Sequence, residues 1–385
     1  MLEPPAILFV SKVYPPGPGG AERHTQRLAE DLRRHGHRTR VLTTPAAVPG
    51  DAGAAPVWRL PVPRSAPWDD VGFALWVAAQ LVILRPRYPL VQWVMTGLQV
   101  LVGMPLAAAL GMKNILMLPG CGQARRLLER PRGRKLLEIL HRHADRIVVL
   151  NPAMREELLD LGFPAEQLVM LPCGADPAVF RPGDAAERAV LRSRWKLAED
   201  GLVIVFTGRF VDVKRLPDLI DAFAQLRPRH PQATLVLAGD GPLREGLAAR
   251  VMVAGLTSHV RFVGMLPPAQ VAEVLRLADV YVLPSASEGI PCSLVEAVAS
   301  GLPSVVSDIP GTGMLVQEGV TGLRVPVADV PSLAAAIESL IRDLGARERM
   351  GRAARALFLE HYTIDCVRQG YERVYWELIR PDMPT

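Results

Sequence analysis

From Val280 to Pro303 the chain reads VYVLPSASEGIPCSLVEAVASGLP. Four apolar residues with strand character run into small and turn-forming residues, and a helical pattern follows over residues 293–300. Glu288 falls in the loop and Glu296, eight positions later, on the helix. Strand, loop and helix in this order form the repeating step of a parallel α/β sheet. Such sheets take their ligands in loops at the carboxyl ends of strands. Backbone N–H groups at a helix start favour anionic groups. Carboxylates beside the loop accept hydrogen bonds from hydroxyls. A nucleotide sugar needs both.

The same step recurs along the chain. Residues 6–10 are apolar and precede the loop YPPGPGG, then a helical stretch 21–35 and a second strand 38–42. Gly17, Gly19 and Gly20 let the backbone approach a ligand closely. His24 and Glu22, on the helix, are expected to be solvated or capping residues. Residues 46–70 are rich in proline and alanine, with a short strand at 57–60. The apolar run 71–84 is too short for a bilayer, which takes about 20 residues, and is expected as a buried helix. Strand and helix patterns then alternate through 90–95, 100–110 and 114–118, which continues an α/β domain. A further strand at 203–206 opens a second series, with the loop TGRFVDVKR after it. Arg209 and Lys214 in that loop are two cations placed to hold a diphosphate and stabilise it as it leaves.

At 385 residues the chain fits two domains of ordinary size. The expected division is 1–180, a linker at 181–190, a second domain at 191–360, and a C-terminal helical segment at 361–385. Four scattered cysteines with no CxxC suggest neither a disulfide framework nor a zinc site. The start MLEPPAILFV has no basic region or long apolar core and reads as a first strand, not a signal peptide. Net charge is +5, and residues 122–146 hold eight Arg/Lys against three Asp/Glu. No zinc-finger or RNA-binding aromatic pattern accompanies them, so a nucleic-acid partner is not expected.

The segment SASEGIPCSLVEAVASGLPSVVSD, with Glu-x7-Glu between Glu288 and Glu296, resembles the signature of the retaining GT-B glycosyltransferases of family 4 (glycosyl transferases group 1). The Gly-x-Gly-Gly loop near the N-terminus and VVLNPAMREELLDLGFPAEQLVMLPCGADPAVFRP are also similar to the family. The resemblance implies an α/β GT-B fold, with two Rossmann-like α/β/α domains facing each other across a cleft. It implies that the first domain holds the acceptor and the second the nucleotide-diphosphate sugar, a UDP-sugar or GDP-mannose. It assigns Arg209 and Lys214 to the donor diphosphate, Glu288 to hydroxyls of the transferred sugar and Glu296 to those of the ribose. Gly289, Ile290 and Pro291 then form the loop at sugar and phosphates. Gly239 and Gly241 turn near the base, and Met265 and Leu266 lie beside it. Gly17, Gly19 and Gly20 approach the donor from the first domain. Asp240 reads as a helix cap.

The chain departs from the family at two points. Relatives carry a histidine near PGCGQ, residues 119–123, and this chain has none there. Cys121, Gln123 and Arg125 remain as acceptor-side candidates. The family's Gly-x-x-Glu is here Gly311-Thr312-Gly313-Met314, without the acid. No metal and no cofactor are expected. The reaction implied is hexosyl transfer to a sugar or lipid-linked sugar, in lipid-linked glycan, glycolipid or cell-envelope polysaccharide synthesis. An epimerase-like enzyme on the same scaffold and a non-catalytic nucleotide-sugar binder are the alternatives. The expected location is cytoplasmic, with the basic stretch 122–146 either meeting the anionic inner face of the cell membrane or holding a phosphorylated acceptor. No obligate protein partner is indicated.

Overall fold

A computed structural model of the protein describes residues 3–15, 19–45, 56–61 and 69–380. The chain divides into two compact units. One comprises Met1–Cys173 and Ile364–Thr385, and the other Gly174–Thr363.

The first unit runs β1 (Ile7–Ser11), α1 (Gly20–Arg34), β2 (Thr39–Thr43), β3 (Val57–Arg59), α2 (Asp69–Leu84), β4 (Leu90–Val94), α3 (Leu98–Ala109), β5 (Lys113–Met117), α4 (Gln123–Leu128), α5 (Gly133–His143), β6 (Arg146–Val149), α6 (Pro152–Asp160) and β7 (Leu168–Met170). The second runs α7 (Ala185–Arg194), β8 (Leu202–Thr207), α8 (Leu216–Leu226), β9 (Ala233–Ala238), α9 (Arg244–Val253), β10 (Val260–Gly264), α10 (Pro268–Leu277), β11 (Val280–Leu283), α11 (Cys292–Ala299), β12 (Ser304–Ser307), the single turn α12 (Pro310–Gly313), β13 (Gly322–Val325), α13 (Val330–Arg342) and α14 (Leu344–His361). A last helix, α15 (Ile364–Ile379), belongs to the first unit.

Each unit is built on one parallel sheet. The orders are β3-β2-β1-β4-β5-β6-β7 and β10-β9-β8-β11-β12-β13. Helical crossovers between parallel strands cover both faces of such a sheet, and this explains why central strands such as LVIVFT in β8 are buried at every position. In both sheets the strand order reverses once, between β1 and β4 and between β8 and β11. The loops that leave two such strands diverge and open a crevice at their carboxyl ends.

Helix ends follow their sequence signals. Asn151 caps α6, its Oδ1 accepting from Met154 N–H at 3.0 Å with Pro152 at the first helical position. Asp184, Asp329 and Asp343 cap α7, α13 and α14 in the same way.

Two elements differ from the sequence-based expectation. The stretch 181–190, expected as a linker, lies inside the second unit and includes the start of α7. The reason is Asp279: its carboxylate accepts from Arg192 Nη2 and from the Val203 amide, both at 2.7 Å, and from Arg188, which ties α7 to β8. Helix α2 buries only one side, through Phe73, Ala74, Val77, Leu81 and Leu84. Leu75, Val82 and Ile83 are more than half exposed, so the expectation of a buried helix fails for that side. Most of the proline- and alanine-rich stretch 46–70 lies outside the described residues.

Helix α15 fills the core of the first unit with Val367, Tyr371, Val374, Tyr375 and Leu378, packed with residues of β1, α1 and β4. Polar ties fix its register. Arg368 donates to Asp31 of α1 at 3.1 Å, and Glu372 pairs with His37 at 2.9 Å. The buried Tyr375 hydroxyl donates to Gln92 Oε1 in β4. His24 is itself buried here, its Nε2 lying 3.4 Å from the Tyr371 hydroxyl. It is therefore neither solvated nor a cap.

Candidate functional site

The second unit's crevice is formed by the loops after β8 and β11, the two strands at the order reversal. Lys214 comes from the first loop and Glu288 from the second. They form a hydrogen-bonded ion pair, and their side chains are only 15% and 13% exposed. The backbone closes the same gap, since Ala286 N–H donates to Val213 O at 2.8 Å. Arg209 shares the Lys214 loop, and its side chain is exposed and makes no ion pair among the described residues. One cation is thus held against a carboxylate, and a second is left exposed.

Beneath the pair sits Tyr281, wholly buried on β11. Its hydroxyl donates to Thr207 O at 3.5 Å. Burial raises its pKa far above the ordinary range. The Ser293 and Thr207 hydrogen bonds oppose this, and the charges of Glu296 and Glu288 add to it. Tyr281 therefore stays a neutral hydrogen-bonding post between the two glutamates. Sequence reasoning missed it, because a tyrosine inside VYVL reads as core; an aromatic hydroxyl one strand before Glu288 was the available signal. The Thr207 and Ser285 hydroxyls, at the same strand ends, are buried without a hydrogen-bond partner among the described residues.

Glu296 lies on α11 and is 3% exposed. Pro291 caps that helix, and Ile290 and Gly289 are buried beside it. Gly289 and Glu288 are pressed by α12. A Cβ on Gly311 would lie 2.2 Å from Gly289 O and 2.6 Å from Glu288 O, so this contact admits only glycine.

The loops after β8, β9 and β10 are stitched edge to edge. Gly208 N–H donates to Ala238 O at 2.9 Å, Phe210 N–H to Asp240 O at 2.8 Å, and Gly239 N–H to Gly264 O at 2.8 Å. Gly239 has φ 145°, and a Cβ there would meet Gly208 O at 1.8 Å. A Cβ on Gly241 would lie 2.5 Å from Phe210 O. Asp240 is not a helix cap: its carboxylate accepts from the adjacent Gly241 N–H at 2.7 Å, and α9 begins at Arg244. Met265 is about half exposed after β10, with Leu266 half-buried next to it.

The remaining candidates lie in the first unit. Gly17 is outside the described residues. Gly19 and Gly20 start α1 after β1, and the Glu22 carboxylate folds back over Gly19, 1.9 Å from where a Cβ would stand. Cys121 accepts from Asn151 Nδ2 at 3.2 Å. Gln123 opens α4, whose N-terminus is clamped by Glu157: Gly122 N–H and Arg125 N–H both donate to its carboxylate at 2.8 Å. The Arg125 guanidinium is held by Asp160 at 2.6 Å. The basic stretch forms two helices, α4 and α5, interrupted around Pro131.

Asp31, His35 and Asp365 bring metal-type ligand atoms within 4.8 Å of one another. Arg368 already donates to both carboxylates there. No helix among the described residues is long and apolar enough to cross a membrane.

Comparison with known proteins places this geometry in a family. A model described as glycosyl transferases group 1 matches residues 187–357. One described as a glycosyl transferase 4-like domain matches residues 19–174. The chain is 33% identical over 245 residues to a D-inositol 3-phosphate glycosyltransferase of Nocardia farcinica, covering 61% of this chain and 54% of that protein. It is 29% identical over 238 residues to an alpha-D-kanosaminyltransferase of Streptomyces kanamyceticus, covering 62% and 61%. These matches span little more than half the length of those relatives. Among solved structures, Anabaena HepE in complex with UDP and glucose superposes with a TM-score of 0.80 at 21% identity, over 96% of this chain and 98% of that one. Sucrose-phosphate synthase from Thermosynechococcus elongatus gives 0.82 at 23% identity, over 98% and 100%. With one family model on each unit and this fold throughout, the chain belongs to the GT-B glycosyltransferases of group 1, family 4.

Proposed function

We propose that the protein transfers a hexosyl group from a nucleotide-diphosphate sugar to an acceptor hydroxyl, with retention at the anomeric carbon. The observation that carries this reading is the Lys214–Glu288 pair at the reversal between β8 and β11. It sets a cation for phosphate against an acceptor for sugar hydroxyls within one hydrogen bond.

In this mechanism Arg209 and Lys214 take the two phosphates. They offset the charge that grows on the leaving nucleoside diphosphate, the moment at which fixed cations lower the barrier most. Glu288 accepts from hydroxyls of the transferred sugar and, through its pair, keeps Lys214 aimed. Glu296 accepts from the ribose hydroxyls. Gly239 and Gly241 let these loops pack backbone against backbone, where a Cβ would not fit. Two cations already serve the diphosphate, so the reaction is proposed to need no metal. Neither glutamate is assigned as a nucleophile. Attack from the donor's own face, with the leaving phosphate accepting the acceptor's proton, accounts for retention.

The relatives' names include an inositol phosphate and a phosphatidylinositol monomannoside as acceptors, and glycogen synthase. GDP-mannose in one relative's name and UDP bound to HepE support a GDP-mannose or UDP-sugar donor, and the phosphatidylinositol monomannoside in that name supports an acceptor in lipid-linked or envelope glycans. The experiment is incubation with UDP-glucose and GDP-mannose and a panel of such acceptors, following nucleoside diphosphate release and the product anomer by NMR. An α-linked product supports the reading. Epimerised nucleotide sugar, an inverted anomer, or binding with no turnover on any donor would overturn it.

A further inference from the structure

The first unit has a second concave site, at the amino ends of its strands. A cavity of about 780 Å³ opens where the chain enters β1, β2, β3 and β4, the end of the sheet opposite the Gly19–Gly20 loop. Arg33, Arg38, Arg40, Arg87 and Arg380 line it. Glu3 is the one carboxylate among the lining residues. His37 also lines it, and its ring is already bonded on both sides, to Pro5 O and to Glu372.

None of the five guanidinium groups makes an ion pair or a side-chain hydrogen bond among the described residues. Arg40 is nonetheless fixed in place. Its Cζ lies 3.7 Å from the Trp58 ring centroid and 5.7 Å from that of Tyr88, and its Nε is buried without a partner. Arg380 lies over Trp376 at 5.8 Å, and both Tyr88 and Trp376 face the same cavity.

Helix ends explain part of this. Arg33 in the last turn of α1 and Arg380 after α15 sit where a helix C-terminus favours a cation. Arg38 and Arg40, on consecutive like-facing positions at the start of β2, and Arg87, before β4, have no such reason. Five cations against one lining carboxylate, Glu3, repel one another, a cost that a bound anion removes. A guanidinium presents a rigid fork that matches phosphate oxygens two at a time. The volume is that of a small-molecule site, far larger than one phosphate needs.

We propose that this cavity binds a small molecule carrying two or more phosphate groups, with Tyr88 and Trp376 against its non-phosphate part. The site is separate from the donor loops and does not depend on the reading given to them. The phosphates can belong to a free metabolite or to a lipid headgroup.

Inorganic tripolyphosphate is the probe. Because the donor loops also favour phosphate, the titration uses the full chain carrying Arg209→Ala and Lys214→Ala, by calorimetry at physiological salt. One equivalent should bind, more weakly as salt rises. Adding Arg38→Ser and Arg87→Ser, both exposed, should leave the melting temperature in place and weaken binding on the order of 100-fold. Arg352→Ser with Arg373→Ser, an equal charge loss at exposed positions elsewhere, should leave it unchanged. Sedimentation with phosphatidylcholine vesicles, plain or containing phosphatidylinositol bisphosphate, separates the two sources. Pelleting that needs Arg38 and Arg87 and is reversed by tripolyphosphate assigns the headgroup. Tripolyphosphate binding without pelleting assigns a free ligand. Absence of both, or equal weakening by the control pair, overturns the proposal.

Discussion

Lys214 and Glu288 are hydrogen-bonded to each other across the reversal in strand order, although 74 residues separate them in the chain. The pair is mostly buried, so in the proposed mechanism each side chain serves the fold as well as the donor. Lys214→Ala is expected to lower turnover about 10²–10³-fold. It should also cost about 1.5–3 kcal/mol of stability, because it removes a charged hydrogen bond from a poorly hydrated place. Lys214→Met combined with Glu288→Gln removes both charges and should recover most of the stability but none of the turnover. Turnover at saturating donor and denaturant midpoints check this; unchanged turnover in Lys214→Ala takes Lys214 out of the mechanism.

Initial rates in excess EDTA, on protein freed of divalent ions, are expected to equal those with magnesium, because the proposed mechanism gives the diphosphate charge to Arg209 and Lys214. A complete loss of rate that magnesium restores would replace this account.

Gly311→Ala puts a methyl group 2.2 Å from Gly289 O and 2.6 Å from Glu288 O. The loop must move, because backbone has no rotamer to yield. Overpacking of this kind costs about 1–3 kcal/mol. The variant should melt lower and show a raised KM for donor, while Gly246→Ala, which meets nothing within 4 Å, should show neither.

His24 has its pKa lowered to about 4 by burial, with the Arg27 charge adding to the effect. In the unfolded chain it titrates near 6.5. Between these values the unfolded state holds the proton and the folded state does not, so stability is lost as pH falls below about 6.5. The full loss below pH 4 is about 3 kcal/mol. Denaturant midpoints from pH 7 to pH 4.5 should show the slope in the wild type and a shallower one in His24→Gln.

The exposed Arg132, Arg134 and Lys135 between and on α4 and α5 should bring the protein down with anionic vesicles, not neutral ones, and less so at higher salt. Each such residue adds about 1 kcal/mol near an anionic leaflet. Changing all three to Ser should return the protein to the supernatant. If the wild type never pellets, the stretch belongs to a phosphorylated acceptor.

What could be read from the sequence was local. Continuous apolar runs such as LVIVFT and the turn residues after them announce buried parallel strands and their loops, and Glu288 and Glu296 sit eight positions apart in one segment. What was missed depends on partners far away in the chain. Arg188 and Arg192 meet Asp279 across 91 and 87 residues, so nothing near residues 181–190 distinguishes a docked helix from a linker. His24 is buried by Tyr371, 347 residues later. On its own helix it looks like a surface residue. The Tyr281 hydroxyl has meaning only once β8 lies beside β11.

The first unit is assembled from two separated pieces of chain, because α15 supplies Tyr371 and Tyr375 to a core begun by β1. This sets an order of events during synthesis. As the chain leaves the ribosome, residues 174–363 are continuous and can close their core as soon as they emerge. The earlier residues must wait for α15, holding an open hydrophobic seam along β1 and α1 until residues 174–363 have been made and α15 has followed. Deleting α15 therefore damages the part of the chain made first and spares the part made second.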